Sequence, residues 1–290
     1  MPLLLALLLS VVAPNVSPNP NRGPAPAASD ATTPVPEQGS AGTGHYRNAY
    51  FQLSYPIPAG WTEQPAGPPP SDAGAYALTQ YALIDPEKRI RAHVLVTAQD
   101  LFFSLTDTAD AHALVASMRE GLEPVYRLEG EPDRVTIAGR TFQRLRYRAP
   151  RSGLHWLVLS TDMRCHALTF TFTSTEVAAL DAAQNAMQRM SLSTSGAPLC
   201  ISDYASHAIV KPEPQFSPHH FNTIPVRVII GTDGLVKHIH MLNAYPEQAE
   251  AILTALRSWR FKPYEVEGRA VEVETGIVFG LAPVKLRAAK

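Results

Sequence analysis

The chain has 290 residues, of which 45% are hydrophobic and 18% charged, a length that suits about two globular domains. Lys and Arg number 25 against 26 Asp and Glu, a formal net charge of -1, so no basic surplus draws the chain onto a phosphate backbone and nucleic acid is not expected as a partner. Two cysteines exclude a disulfide-dense miniprotein, while 26 prolines, well above the usual ~5%, point to a stretch of unfolded linker.

Residues 3–13 read LLLALLLSVVA. As a helix this run spans roughly 16 Å, about half of the ~30 Å hydrocarbon core, which suits a secretory signal better than a membrane span. No Lys or Arg precedes it and Pro14 follows Ala13 directly, so an uncleaved anchor and a cytosolic chain with an apolar start stay open as alternatives. Residues 14–44 are rich in Pro, Ala, Ser, Thr and Gly. Such a stretch buries too little apolar surface to offset its ordering entropy and is expected to be an extended tether.

A first folded unit is expected over 45–195. Residues 46–61 read as a strand with Phe51, Leu53 and Tyr55 on one face, followed by a turn closed by Gly60 and Trp61. Residues 75–83 and 90–97 are further strands, the second alternating Ile90, Ala92, Val94 and Val96. The period then changes: Leu114, Val115, Met118 and Leu122 recur at helical spacing over 107–122, with Gly121 near the end. Four strands at 134–137, 142–148, 156–160 and 168–173 make an antiparallel meander, with turns at Ala138-Gly139 and 150–153. A last helix over 176–190 lines up Val177, Leu180, Met187 and Met190. The fold class is α+β, sheet against helices. The stretches YRNAYFQLSYPIPAGW (46–61) and IAGRTFQRLRY (137–147) resemble the PsbP-like, or Mog-type, domain family. That resemblance implies an interaction module with no catalytic residues to carry over; Trp61 and Trp156 read as packing rather than as a ligand cage.

Residues 196–205 read as a linker into a second unit, 206–290. Residues 224–230 alternate with Val226, Val228 and Ile230 on one face, Asp233-Gly234 supplies a tight turn, and 235–242 returns as a second strand. Residues 246–259 form a helix with Ala249, Ile252, Leu256 and Trp259 inward and Glu247, Gln248, Glu250 and Arg257 outward. Pro263 stops it. Residues 269–279 alternate as one strand, with Val271, Val273, Thr275, Ile277 and Phe279 on one face and Glu272 and Glu274 on the other. The order is hairpin, helix, strand. With VRVIIGTDGLVKHIHML, AILTALRSWRFKP and GRAVEVETGIVF, the unit closely resembles the C-terminal domain of TonB-type proteins. That resemblance implies a periplasmic domain that pairs a short segment of an outer-membrane transporter as an extra strand along its last strand. Arg269, Val271, Val273, Thr275, Ile277 and Phe279 would then form the docking edge, where a proline at Thr275 would remove an edge N–H. Asp233, Gly234, Trp259, Arg260, Phe261 and Pro263 would form the structural corner. The apolar start is shorter than the membrane helix of TonB proper and a whole domain intervenes, so force transmission is not implied.

Cys165 and Cys200 either pair, pinning the interdomain segment to the first unit, or remain two thiols; sequence lacks the Cα separation that decides. Metal-ligand spacing, a Gly-rich phosphate loop and a nucleophile elbow are all missing. His219, His220, His238 and His240 are the one tempting cluster, but Ile239 and Met241 take the apolar face of their strand, which leaves His238 and His240 solvated. Catalysis, a cofactor and a metal are therefore not expected. The sequence reads as a two-domain α+β envelope protein that binds a peptide segment of an outer-membrane transporter or another envelope protein. A scaffold that forms a homodimer through the same edge is the alternative.

Overall fold

The computed structural model describes residues 33–42, 44–106, 108–215 and 222–280. The signal-like run, most of the tether, His219 and His220 lie outside them. The architecture is α+β in two units, built mainly from antiparallel sheets. Among the described residues no helix is long and apolar enough to cross a membrane.

The first unit contains β1 (Gly39–Gly42), β2 (His45–Asn48), β3 (Leu53–Pro56), β4 (Trp61–Glu63), β5 (Ala75–Ile84), β6 (Ile90–Asp100), α1 (Ala111–Glu120), β7 (Arg127–Leu128), β8 (Asp133–Ile137), β9 (Arg140–Ala149), β10 (Leu154–Met163), β11 (His166–Ser174), α2 (Val177–Ala186) and β12 (Ser191–Leu192). The main sheet runs β4-β5-β6-β11-β10-β9-β7 with β8 beside β9, and a small sheet runs β1-β2-β3-β12. Alternation decides what covers each face. Leu145, Tyr147, Trp156 and Val158 pack with Val115 of α1. Leu157, Leu159, Phe170 and Phe172 meet Leu180 and Ala183 of α2 and Tyr46, Leu53 and Tyr55 of the small sheet.

Three expected elements differ. The tether ends earlier than 44, because Val35 is buried and β1 pairs with β2. The strand expected over 46–61 folds back as β2 and β3, since the Asn48 Oδ1 accepts the Phe51 N–H at 3.1 Å and Gln52 takes a left-handed φ of 46°. The helix expected from 107 starts at Ala111, where the Asp110 carboxylate caps the Ala113 N–H at 2.7 Å.

The second unit contains β13 (Leu199–Cys200), β14 (Ala208–Val210), β15 (Thr223–Ile230), β16 (Val236–Met241), α3 (Pro246–Ser258), β17 (Arg260–Phe261), β18 (Tyr264–Val266), β19 (Arg269–Val271) and β20 (Val273–Gly280). Its sheet runs β13-β20-β15-β16. Ala249, Ile252 and Leu256 of α3 pack on Val226, Val228, Ile239, Ile277 and Phe279. Gln248, expected in solvent, is buried: its Oε1 accepts the Tyr245 N–H at 3.1 Å and its amide donates to Asn222 at 2.9 Å, so it closes the helix start. The other face of this sheet is also buried, against the first unit. Leu242 joins the first unit's core, and the Asn243 amide donates to Asp72 at 2.7 Å.

Candidate functional site

Arg227 sits in the middle of β15 between Val226 and Val228, which face α3, and so projects from the opposite face. Its side chain is 2% exposed. It donates through Nη1 to Asp100 at the end of β6, and its Nη2 lies 3.1 Å from Glu274 Oε1 on β20. Gly276 stands opposite Arg227 in the β15–β20 register, and a Cβ there would come within 2.6 Å of the Phe102 Cβ. A bare backbone is what lets the sheet approach the first unit this closely.

The Arg164 Nη2 donates to Glu274 Oε2 at 3.3 Å and its Nη1 to the Tyr50 carbonyl oxygen at 2.8 Å. Its guanidinium lies 3.9 Å from the Tyr50 ring centroid, within cation–π range. The Tyr50 hydroxyl donates to Glu274 Oε1 at 2.9 Å, and Asp100 Oδ1 accepts the Phe102 N–H at 2.8 Å. Two guanidinium groups thus face two carboxylates across the domain boundary, and the formal charges cancel. Burial works against the Glu274 carboxylate, but Arg227, Arg164 and the Tyr50 hydroxyl outweigh it and hold its pKa below the ordinary carboxylate range. Burial pushes the Tyr50 phenol well above its ordinary value, against the pull of Arg227. At Asp100 burial outweighs the Arg227 charge and raises the carboxyl pKa above its ordinary value, while the ion pairs hold the two units together as a clamp.

The turn between β10 and β11 positions Arg164. Arg164 and Cys165 both adopt left-handed φ, 48° and 61°, with Met163 paired to His166 across the turn, the geometry a two-residue hairpin requires. The same turn carries Cys165, which is disulfide-bonded to Cys200 at a Cα separation of 5.6 Å. His166 is fully buried, its Nδ1 2.6 Å from the Arg164 carbonyl oxygen and its Nε2 3.7 Å from Asp100 Oδ2. Burial, followed by the nearby Arg227 charge, drives its pKa well below 6.5.

The expected docking edge divides. Arg269 and Val271 lie in β19, a short hairpin with β18, while Val273, Thr275, Ile277 and Phe279 are buried residues of β20. Leu199 N–H and Ile201 N–H donate to the carbonyl oxygens of Glu272 and Glu274, so even-numbered residues of the last strand point their backbone outward and odd-numbered ones bond β15. Thr275 is therefore an inner residue, and a proline there would break the sheet rather than its edge. The outward row that remains is Gly276 and Val278, running to Gly280, and no described strand pairs with it.

The corner residues do come together. Gly234 has φ 76°, and a Cβ there would overlap the Phe261 carbonyl oxygen. The Phe261 N–H donates to the Gly234 carbonyl at 2.9 Å, and Asp233 Oδ1 accepts the Leu235 N–H at 3.0 Å. Trp259 is buried, its Nε1 donating to the Pro212 carbonyl at 3.0 Å. Arg260 Nη1 donates to the carbonyls of Arg257 and Trp259, and the Pro263 ring lies beside Gly234.

His238 and His240, expected in solvent, are 4% and 2% exposed. Their face of β16 is covered by the first unit, and His240 Nε2 lies 3.3 Å from Glu37. Among the described residues no group of three or more side chains could hold a metal. Asp100, Arg164, Arg227, Glu274 and Tyr50 were not singled out from sequence. One signal was available: Pro225 and Ile229 leave β15 apolar on both faces, the pattern of a strand covered on both sides.

No family model matches the chain, and no curated protein does. Solved structures that match include two at low similarity. Cyanobacterial PsbP (CyanoP) from Synechocystis sp. PCC 6803 shares 15% identity over 54% of this chain and 97% of its own, with a TM-score of 0.36. LpqN of Mycobacterium tuberculosis, described as involved in cell envelope biogenesis, shares 13% over 56% of this chain and 90% of its own, with a TM-score of 0.32.

Proposed function

We propose that this is a non-catalytic envelope protein whose second unit takes up a partner segment as an added strand along β20. The observation that carries this reading is the outward backbone row from Gly276 to Gly280, which no described strand pairs with, in a strand whose inner side is laddered to β15 along its whole length. An unpaired edge supplies N–H and C=O groups for affinity, and alternate side chains supply selectivity. Val278, 40% exposed, is the side chain on that row a partner would meet. The TonB-type sequence pattern of the second unit supports an outer-membrane transporter segment as the partner, and the secretory-signal-like start supports an envelope location. The cancelled charges of the interdomain clamp favour a binding module over an enzyme.

The test is titration of N-terminal peptides from outer-membrane transporters into the full chain, followed by fluorescence anisotropy. Val278→Pro removes an outward N–H while sparing every bond to β15, and is expected to weaken binding by about tenfold or more. Unchanged affinity would remove β20 as the docking edge. A concentration-dependent dimer that Val278→Pro abolishes, with no peptide bound, would mean that the edge serves self-association instead.

A further inference from the structure

Part of the β20 edge is already occupied by the chain itself. Leu199 pairs with Val273 and Cys200 with Glu274 in parallel register, through the Leu199 N–H to Glu272 O bond of 2.8 Å and the Ile201 N–H to Glu274 O bond of 3.1 Å. This β13 segment buries little: Leu199 is 42% exposed and Cys200 is exposed. A ladder of two residue pairs with so little side-chain burial is a weak hold on a strand. Its C-terminal side is held by Ile201 and Tyr204, which pack into the second unit's core, and its covalent tie is the Cys165–Cys200 bond to the first unit, across a sequence separation of 35.

We infer that β13 is a built-in occupant of the docking edge, stapled there by the disulfide, and that reducing the disulfide opens the rest of the edge to a partner strand. This rests on the strand-addition reading above. The geometry separates the staple from the clamp that holds β20. One hairpin turn carries both, but Arg164 grips Glu274 of β20, whereas Cys165 grips only the covering segment. Arg227 and the Tyr50 hydroxyl also hold Glu274. Cutting the sulfur bond leaves β13 held by its backbone bonds and the Ile201 and Tyr204 packing alone, with β20 still seated, so a competing strand can displace residues 196–200 and extend the row from Gly276–Gly280 towards 272.

The staple is open to attack on one side. A groove of about 630 Å³ lined by Arg164, Pro198, Leu199, Cys200, Val266 and Val271 runs beside it, and Cys165 is the buried partner. The reductant is a dithiol of the thiol–disulfide oxidoreductase class. Its thiolate attacks Sγ of Cys200, forming a mixed disulfide and releasing the Cys165 thiolate, which takes a proton. The second thiol of the reductant then displaces Cys200 and becomes part of the reductant's own disulfide. Two electrons and two protons pass to the protein, which gains two thiols.

The probe is a labelled peptide of this chain's residues 196–203 carrying Cys200→Ser, added to the full-length protein. We expect the Cys165→Ser/Cys200→Ser protein, or wild type reduced by a dithiol, to bind it at least about tenfold more tightly than the oxidised protein, each backbone bond made to the vacated row being worth about a factor of five. Leu199→Pro, with the disulfide intact, should show an intermediate gain, and hydrogen exchange should show the Ile201 amide deprotected on reduction. Equal binding by oxidised and reduced protein, or an Ile201 amide that stays protected after reduction, would overturn the inference. A reduced protein that binds the 196–203 peptide but no transporter peptide would uphold the staple and reject the transporter partner. Transporter peptides bound equally in both redox states would reject the staple and leave the docking edge standing.

Discussion

His166 shows how one buried side chain sets a pH dependence for the whole fold. It sits between the rings of Tyr50, Phe51 and Tyr76, with Asp100, Arg164, Arg227 and His240 as its charged or titratable neighbours. Its folded pKa lies well below 6.5, chiefly through burial. As pH falls past ~6.5 the unfolded chain takes up the proton first, so the stabilisation is fully present above that pH and is lost progressively below it. The expected slope approaches about 1.4 kcal/mol per pH unit. His93, also shifted down by burial, adds in the same sense. Urea denaturation at pH 7.0, 6.0 and 5.5 checks this. His166→Asn, which can keep a donor to the Arg164 carbonyl but carries no titrating ring, should lose most of the slope while His93 and the carboxylates still contribute theirs.

At the scale of elements, the corner that joins hairpin to helix end explains why Asp233-Gly234 and Trp259-Arg260-Phe261 occur in one chain. The β15–β16 turn docks directly on the backbone of β17, and this contact needs both a left-handed residue and a missing side chain at position 234. Gly234→Ala is therefore expected to cost more than the roughly 1–3 kcal/mol of the dihedral penalty alone, measurable as a lower thermal midpoint. Gly268→Ala is the control: it has a comparable φ of 75° but nothing within 4 Å of its would-be Cβ, so it carries only the dihedral penalty. If the two variants lose equally, the close approach to Phe261 contributes nothing. The strand expected over 269–279 is divided for a related reason. The β18–β19 hairpin keeps Arg269 and Val271 paired with Val266 and Tyr264, and only from Val273 does the chain join the β15 ladder.

For the whole molecule, the buried Arg227 binds the two units into one. Removing one member of a buried ionic cluster is more damaging than never having had it, because the remaining charges stay desolvated and unpaired. Arg227→Leu strips Asp100 of its guanidinium partner and leaves Glu274 to Arg164 and the Tyr50 hydroxyl, and is expected to cost about 3–5 kcal/mol. The wild-type chain should unfold in one calorimetric transition, whereas this variant should separate into two as the units lose their common interface. A single transition at an unchanged midpoint would show that the Cys165–Cys200 bond and the apolar contacts of Phe102, Phe103 and Leu242 suffice to join them.

The sequence by itself determined the α+β class, the hairpin–helix–strand order of the second unit and the residues of its corner. These are written in periodicity, in a Gly at a turn and in a Pro after a helix, all properties of a segment and its immediate neighbours. Only the tertiary structure decided which faces are covered. Residues 224–230 alternate as expected, yet alternation alone does not say whether the second face meets water or another domain, so Arg227, Glu274, His238 and His240 were legible as polar but not as buried. The edge behaved the same way. Strand pairing is a relation between distant segments, and whether Thr275 or Val278 offers its N–H to a partner depended on where β13 and β15 lie beside β20.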